Sequence, residues 1–246
     1  MQTRALHYLR DDRAWLTAGL ALATAVSWAH LVRMADMASA MPPAEGFRAW
    51  PTFLMWTVMM VAMMVPTALP GILAFATAER RTRTAGVSSL PWLLAAGYVV
   101  AWAGFSMVAT GAQWMLHELA ALSAAGALRS PLLAGGILVA AAVFQLTPMK
   151  EACLRHCRSP LGIVAQGLPP GRAAALGTGV RLGAYCIGCC WALMALMFVG
   201  GVMSLWWMAR LTVVILLEKV VARWQRFTNL LAAGLAAYGT WLMLGA

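Results

Sequence analysis

Residues 50–77 read WPTFLMWTVMMVAMMVPTALPGILAFAT, a run of 28 positions without a charged side chain. About 20 such residues are enough for a helix to cross the hydrocarbon of a bilayer. The run is continuous rather than alternating, which sets aside the ten-residue strands of a membrane barrel. Working outward, six more apolar segments appear at 14–32, 91–115, 132–149, 183–205, 208–222 and 227–245. The sequence therefore predicts an all-α, polytopic transmembrane bundle of about seven helices, forming a single domain over residues 1–246. The sixth segment is the shortest and carries Glu218 and Lys219.

Composition agrees with this reading. The chain is 62% hydrophobic and 11% charged, with a mean hydropathy of +0.77, whereas soluble domains carry roughly a quarter charged residues. A basic start before the first segment raises a cleaved leader ending at Ala38-Ser39-Ala40. Asp11 and Asp12 interrupt the positive region, so the segment reads as a retained helix.

The net charge of +10 does not point to nucleic acid, because the basic residues form no block interleaved with aromatics. They sit in short clusters between apolar runs, where they orient a membrane protein. With the N-terminus in the cytoplasm, Arg4, Arg10, Arg13, Arg80, Arg81, Arg83, Lys150, Arg155, Arg158, Arg172, Arg181, Lys219, Arg223 and Arg226 all fall inside. Only Arg33, Arg48, Arg129 and Arg210 fall outside. The expected location is the bacterial inner membrane, with the C-terminus and the Trp206-Trp207 pair at the outer face.

That orientation places all five cysteines near the cytoplasmic side, where thiols stay reduced. Cys186, Cys189 and Cys190 are expected to open the fifth segment, and residues three and four apart share a helix face. Gly188 between them allows a close approach. Cys153 and Cys157 follow the fourth segment with His156 beside them, and Lys150, Arg155 and Arg158 are expected to favour their thiolates. Free cysteine also packs as a small apolar residue, and His156 alone reads first as an interfacial surface histidine and second as a ligand.

Seventeen methionines add a second soft donor. Met55, Met59 and Met63 form a stripe in the second segment, and Cys186, Cys190, Met194 and Met197 form one in the fifth. Met34, Met37 and Met41 lead into the second segment from outside. The bland reading is adaptable core packing; the functional one is a thioether route for a soft ion, since thioethers select Cu(I). The candidate metal ligands are thus Cys153, Cys157, Cys186, Cys189, Cys190, His156, Met59, Met63 and Met194. Cu(I) accepts both sulfur types and ranks first. Zn(II) would accept the cysteines but has no use for the methionines.

In the apolar runs Gln145, Glu218 and Lys219 are costly polar groups. Glu218 reads as a hard ligand or as half of a buried ion pair with Lys150, Arg181 or Lys219. Pro66 and Pro70 free carbonyls of the second segment for other donors. No nucleotide loop, catalytic serine motif or zincin histidine pair is present.

Several strings resemble a bacterial family of predicted metal-binding integral membrane proteins, a domain of unknown function. They are Met55-Trp56 with Met59-Met60 and Met63-Met64-Val65-Pro66, then Gln145-Leu146-Thr147-Pro148-Met149-Lys150. Cys153 and Cys157 before Pro160 follow, then Tyr185 to Trp191, Leu193-Met194 and Leu217-Glu218-Lys219. The resemblance covers roughly residues 50–220 and implies metal binding. The expectation is a membrane protein that binds a soft metal and exchanges it with a partner protein. Two alternatives remain open: a membrane thiol oxidoreductase, and a non-catalytic subunit or assembly factor of a larger membrane complex.

Overall fold

A computed structural model describes residues 2–40, 46–82, 89–123, 125–158, 171–221 and 224–245. Met41, Arg83, Pro160 and Arg223 lie outside the described residues, as do the side chains of residues 2–12, 38–40, 81, 82 and 224. The described chain is all-α, with helices α1 (Gln2–Ala40), α2 (Ala49–Thr82), α3 (Leu90–Glu118), α4 (Pro131–Gln145), α5 (Pro148–Arg158), α6 (Arg172–Ala195), α7 (Met197–Gly200), α8 (Leu205–Val220) and α9 (Trp224–Leu244). Ser130 caps α4 ahead of Pro131, and Ser204 caps α8, each accepting from a backbone N–H three residues on.

Five helical stretches are long and apolar enough to cross a membrane, or six if the bent pair α4–α5 counts as one span. Two of the expected segments differ in detail. The segment 132–149 breaks at Leu146-Thr147-Pro148, and α5 leaves α4 at 67°. Pro148 has no N–H to continue α4, and Thr147 caps the new helix by accepting from Lys150 N at 3.3 Å. Cys153 and Cys157 therefore lie on a helix, not in a loop. The segment 208–222 is the 16-residue α8, shorter than a full span.

A larger correction concerns the cysteine-rich segment. The expected start at 183 is wrong by eleven residues, because α6 begins at Arg172. Cys186 does not open the helix; it sits at the midpoint of the 29-residue stretch Arg172–Gly200. Arg172, Arg181 and the glycines lower the hydropathy of residues 172–182, so they read as a loop. Packing of that turn-rich stretch against α3 supplies the helix with what propensity does not.

The glycines make this contact. A Cβ on Gly97 of α3 would run into the carbonyl of Leu176, and one on Gly179 of α6 into the carbonyl of Leu94. A Cβ on Gly183, one turn further, would press on Ala101 and come 3.1 Å from the Tyr98 carbonyl. Small residues at four-residue spacing let membrane helices approach at backbone distance. Gly135 of α4 and Gly239 of α9 repeat the device.

Several polar groups inside the bundle are tied across helices. Pro66 cannot donate to Ala62, and the Trp28 indole of α1 takes that carbonyl at 3.1 Å. Glu218 of α8 forms an ion pair with Lys150 of α5 at 2.5 Å. It also accepts from Gln145 of α4 at 3.0 Å and Thr228 of α9 at 3.3 Å. Arg158 donates to the carbonyls of Glu218 and Val221 at the end of α8, where orphan carbonyls need donors. The network clamps the α4–α5 elbow to α8 and α9.

Gly97→Ala and Gly179→Ala should each destabilise the bundle by about 1–3 kcal/mol through overpacking. Gly104→Ala, on α3 with nothing within 4 Å, should be neutral or gain up to about 1 kcal/mol of helix propensity. Thermal unfolding in detergent, followed by helical circular dichroism, separates the two classes. Equal effects at Gly97 and Gly104 would refute the close crossing.

Candidate metal centre

The α4–α5 bend lays α5 against the middle of α6. Cys186 and Cys189, three residues apart, turn to the same side. Gly188 lies between them, and Cys153 packs over it, so a Cβ there would come 2.7 Å from the Cys153 sulfur. One turn further along α5, the Cys157 sulfur reaches 3.8 Å from that of Cys189. The Sγ atoms of Cys157, Cys186 and Cys189 all lie within 4.8 Å of one another. The two cysteine motifs thus converge, as expected for halves of one site.

These separations suit a single soft ion. Metal–sulfur bonds near 2.3 Å place two sulfurs about 4.6 Å apart in a linear site and three about 4.0 Å apart in a trigonal one. Cys186 and Cys189 are buried and Cys157 is half-buried, and all five cysteines are free. The trio contains no carboxylate or imidazole, so the donors are soft throughout.

The other expected ligands fall into three groups. Cys190 is buried with its thiol donating to the Cys186 carbonyl at 2.9 Å, and Cys153 is half-buried over Gly188; neither belongs to the trio. His156 is exposed: its Nδ1 lies 2.8 Å from the Ala152 carbonyl, and its ring stacks on Tyr185 at 4.4 Å. Met59, Met63 and Met194 are at most 1% exposed and belong to the same core as the cysteines. Met194 also lines a cavity of about 160 Å³ with Trp56, Trp191 and Phe198.

The cations expected to serve the thiols do not do so. Lys150 is spent on Glu218 and Gln145, Arg158 on the end of α8, and Arg155 is exposed beside Glu151. The cation at the site is Lys219, whose ammonium donates to Cys186 Sγ at 3.0 Å and to Thr67 Oγ1 at 2.8 Å. Glu218 and Lys219 point to different sides of α8, because adjacent helical residues do not face each other.

Two further residues complete the surroundings. The Tyr98 hydroxyl is 3.0 Å from Cys186 Sγ and donates to the Met64 carbonyl at 3.1 Å. Thr67 donates to the same carbonyl at 2.8 Å. The sequence offered a signal for each: a hydroxyl or ammonium inside an apolar run must find a partner. Lys219 stands out in its apolar run while its partner does not, and Tyr98 and Thr67 are masked by bulkier apolar neighbours.

Residues 53–242 match the model of the PpoB2 family, described as a copper chaperone. No curated protein and no solved structure matches the chain. The match covers well over half of the sequence and takes in every residue of the sulfur trio and its surroundings. The chain belongs to the PpoB2 family of copper chaperones.

Proposed function

We propose that this protein is a membrane-embedded chaperone that holds one Cu(I) ion between Cys157, Cys186 and Cys189 and passes it to a partner protein. The observation that carries the reading is the sulfur trio, two of its members buried and one half-buried, drawn from two helices and compact enough for one ion. Three sulfurs without a fourth donor suit Cu(I) better than Zn(II), which is almost always four-coordinate in structural sites. The copper is cargo, so a site with one half-buried ligand is an advantage. A partner's soft ligand can reach the ion from the Cys157 side as the Cys157–copper bond breaks.

The membrane setting rests on the surface of the bundle. The spans in α1 and α9 are only 17% buried, which leaves long apolar faces that water would not tolerate. Apart from Trp191 in the middle of α6, the exposed indoles among the described residues gather at both ends, Trp15 and Trp92 at one and Trp50, Trp114, Trp206 and Trp241 at the other. Such rings favour the two interfaces. Along α3, Trp92 and Trp114 are separated by about 33 Å at 1.5 Å per residue, close to the roughly 30 Å of hydrocarbon.

On that axis Tyr98 lies about 9 Å inward from Trp92; Gly179 packs level with Leu94, so the first turns of α6 reach beyond Trp92 and the trio sits nearer that end of the bilayer than the middle of α6 suggests. Arg13, Arg80 and Arg172 belong to the same end, since Arg13 reaches Thr77 of α2. By the positive-inside bias it is the cytoplasmic end. A count of seven spans, N-terminus inside, then requires the α4–α5 pair and the short α8 to count as one span each. Met59, Met63 and Met194 extend the sulfur surface from the trio toward the opposite end, a route rather than a resting place for the ion.

The purified protein, titrated with Cu(I) under reducing conditions against a chromophoric chelator, should bind about one equivalent. Cys186→Ser with Cys189→Ser should lose at least a hundredfold in affinity. Met59→Leu with Met63→Leu should keep the affinity and slow delivery to an acceptor. A double-serine variant that binds copper as tightly as the parent would overturn the assignment.

A further inference from the structure

The Cys186 sulfur and four polar atoms form a closed ring. The Met64 carbonyl accepts from Thr67 and Tyr98, Thr67 accepts from Lys219, Lys219 donates to Cys186 Sγ, and Cys186 Sγ meets the Tyr98 hydroxyl. Every link is between 2.8 and 3.1 Å. Met64, Thr67, Tyr98 and Cys186 are buried, and Lys219 is half-buried with its ammonium turned inward. The ring draws on α2, α3, α6 and α8, so four helices meet on one sulfur. Neither Cys157 nor Cys189 has such surroundings: Cys189 donates only to its own helix at 3.1 Å and toward Cys157.

The proton inventory of the ring is specific. Thr67 has one hydroxyl proton, spent on Met64, and a lone pair that accepts from Lys219. Tyr98 has one proton and two places to put it. With Cys186 as a thiol, S–H points to Tyr98 and Tyr98 points to Met64. When Cu(I) bonds to the sulfur and the displaced thiol proton passes to solvent, Tyr98 can turn its own proton to Cys186 while Thr67 still serves Met64. Metal can arrive or leave without stranding a buried polar atom, a loss that costs about 1–3 kcal/mol each time it occurs.

Resting on the copper-site reading above, we propose that Lys219 and Tyr98 are positioning residues that fix Cys186 as the retained ligand, with Lys219 supplying the counter-charge. Two thiolates and one Cu(I) carry a net charge of −1, which is expensive away from water unless a cation offsets it. The Lys219 ammonium brings that pair of thiolates to neutrality and leaves Cys157, the half-buried sulfur, to exchange with a partner. Charge compensation outweighs a single neutral hydrogen bond, so Lys219 should matter more than Tyr98.

The test uses the full-length protein in detergent, loaded with Cu(I) alone. Lys219→Met should weaken Cu(I) binding at least tenfold and shift the sulfur-to-copper ultraviolet absorption. Lys219→Arg, which keeps the charge, should recover most of the affinity. Tyr98→Phe should shift the band to longer wavelength with a smaller loss, because the sulfur loses a donor. Helical circular dichroism matching the parent establishes that each variant is folded, and Lys219→Gln replaces the methionine variant if that one is not. Parental affinity and an unshifted band in the Lys219 and Tyr98 variants, with binding still lost in Cys186→Ser/Cys189→Ser, would overturn this proposal alone. Failure of the parent to bind Cu(I) would overturn the site and the proposal together.

Discussion

An apolar helix bundle has no water to spare for its polar atoms, and each one left alone costs as much as a lost hydrogen bond or more. That constraint explains most of what holds this molecule in register. The Ala62 carbonyl freed by Pro66 is taken by Trp28, and Glu218 is taken by Lys150, Gln145 and Thr228. The Met64 carbonyl, Thr67, Tyr98 and Lys219 are closed around Cys186. Each solution joins separate helices, so the same bonds that avoid a penalty also set the geometry of the sulfur trio.

Dispersion alone would not place three thiols this way. The glycine-mediated crossing of α3 and α6 brings Tyr98 to the Cys186 level, and the α4–α5 elbow swings Cys157 onto the same spot. Adjacent residues of α8 then serve two different tasks: Glu218 anchors the elbow and Lys219 faces the thiol. Tight packing around the buried pair and looser cover over Cys157 suit a chaperone, which must hold its cargo and yet release it.

Much of this was legible in the residues. Continuous apolar runs gave an all-α bundle, and the spacing of Cys186 with Cys189 and of Cys153 with Cys157 gave two half-sites that do meet. The identity of the meeting sulfurs was not legible, because Cys189 and Cys190 are both within reach of Cys186 by helical period and only α5 decides between them. The start of α6 was hidden for a related reason: Gly179 and Gly183 look like loop residues until α3 lies against them. Lys150 and Lys219 are interchangeable by hydropathy, and only the fold assigns the first to a carboxylate and the second to a sulfur. His156 looked like a ligand by proximity in sequence, yet the turn of α5 sends it outward to stack on Tyr185.

The atoms that surround the bound ion decide whether this protein is a sulfur-only copper carrier. X-ray absorption at the copper edge of the Cu(I)-loaded protein reads that directly. The predicted spectrum is that of Cu(I) with two or three sulfur ligands at one short distance and no nitrogen or oxygen in the first shell. A first shell containing nitrogen or oxygen, or copper bound in the same way after Cys157, Cys186 and Cys189 are all replaced by serine, would contradict it.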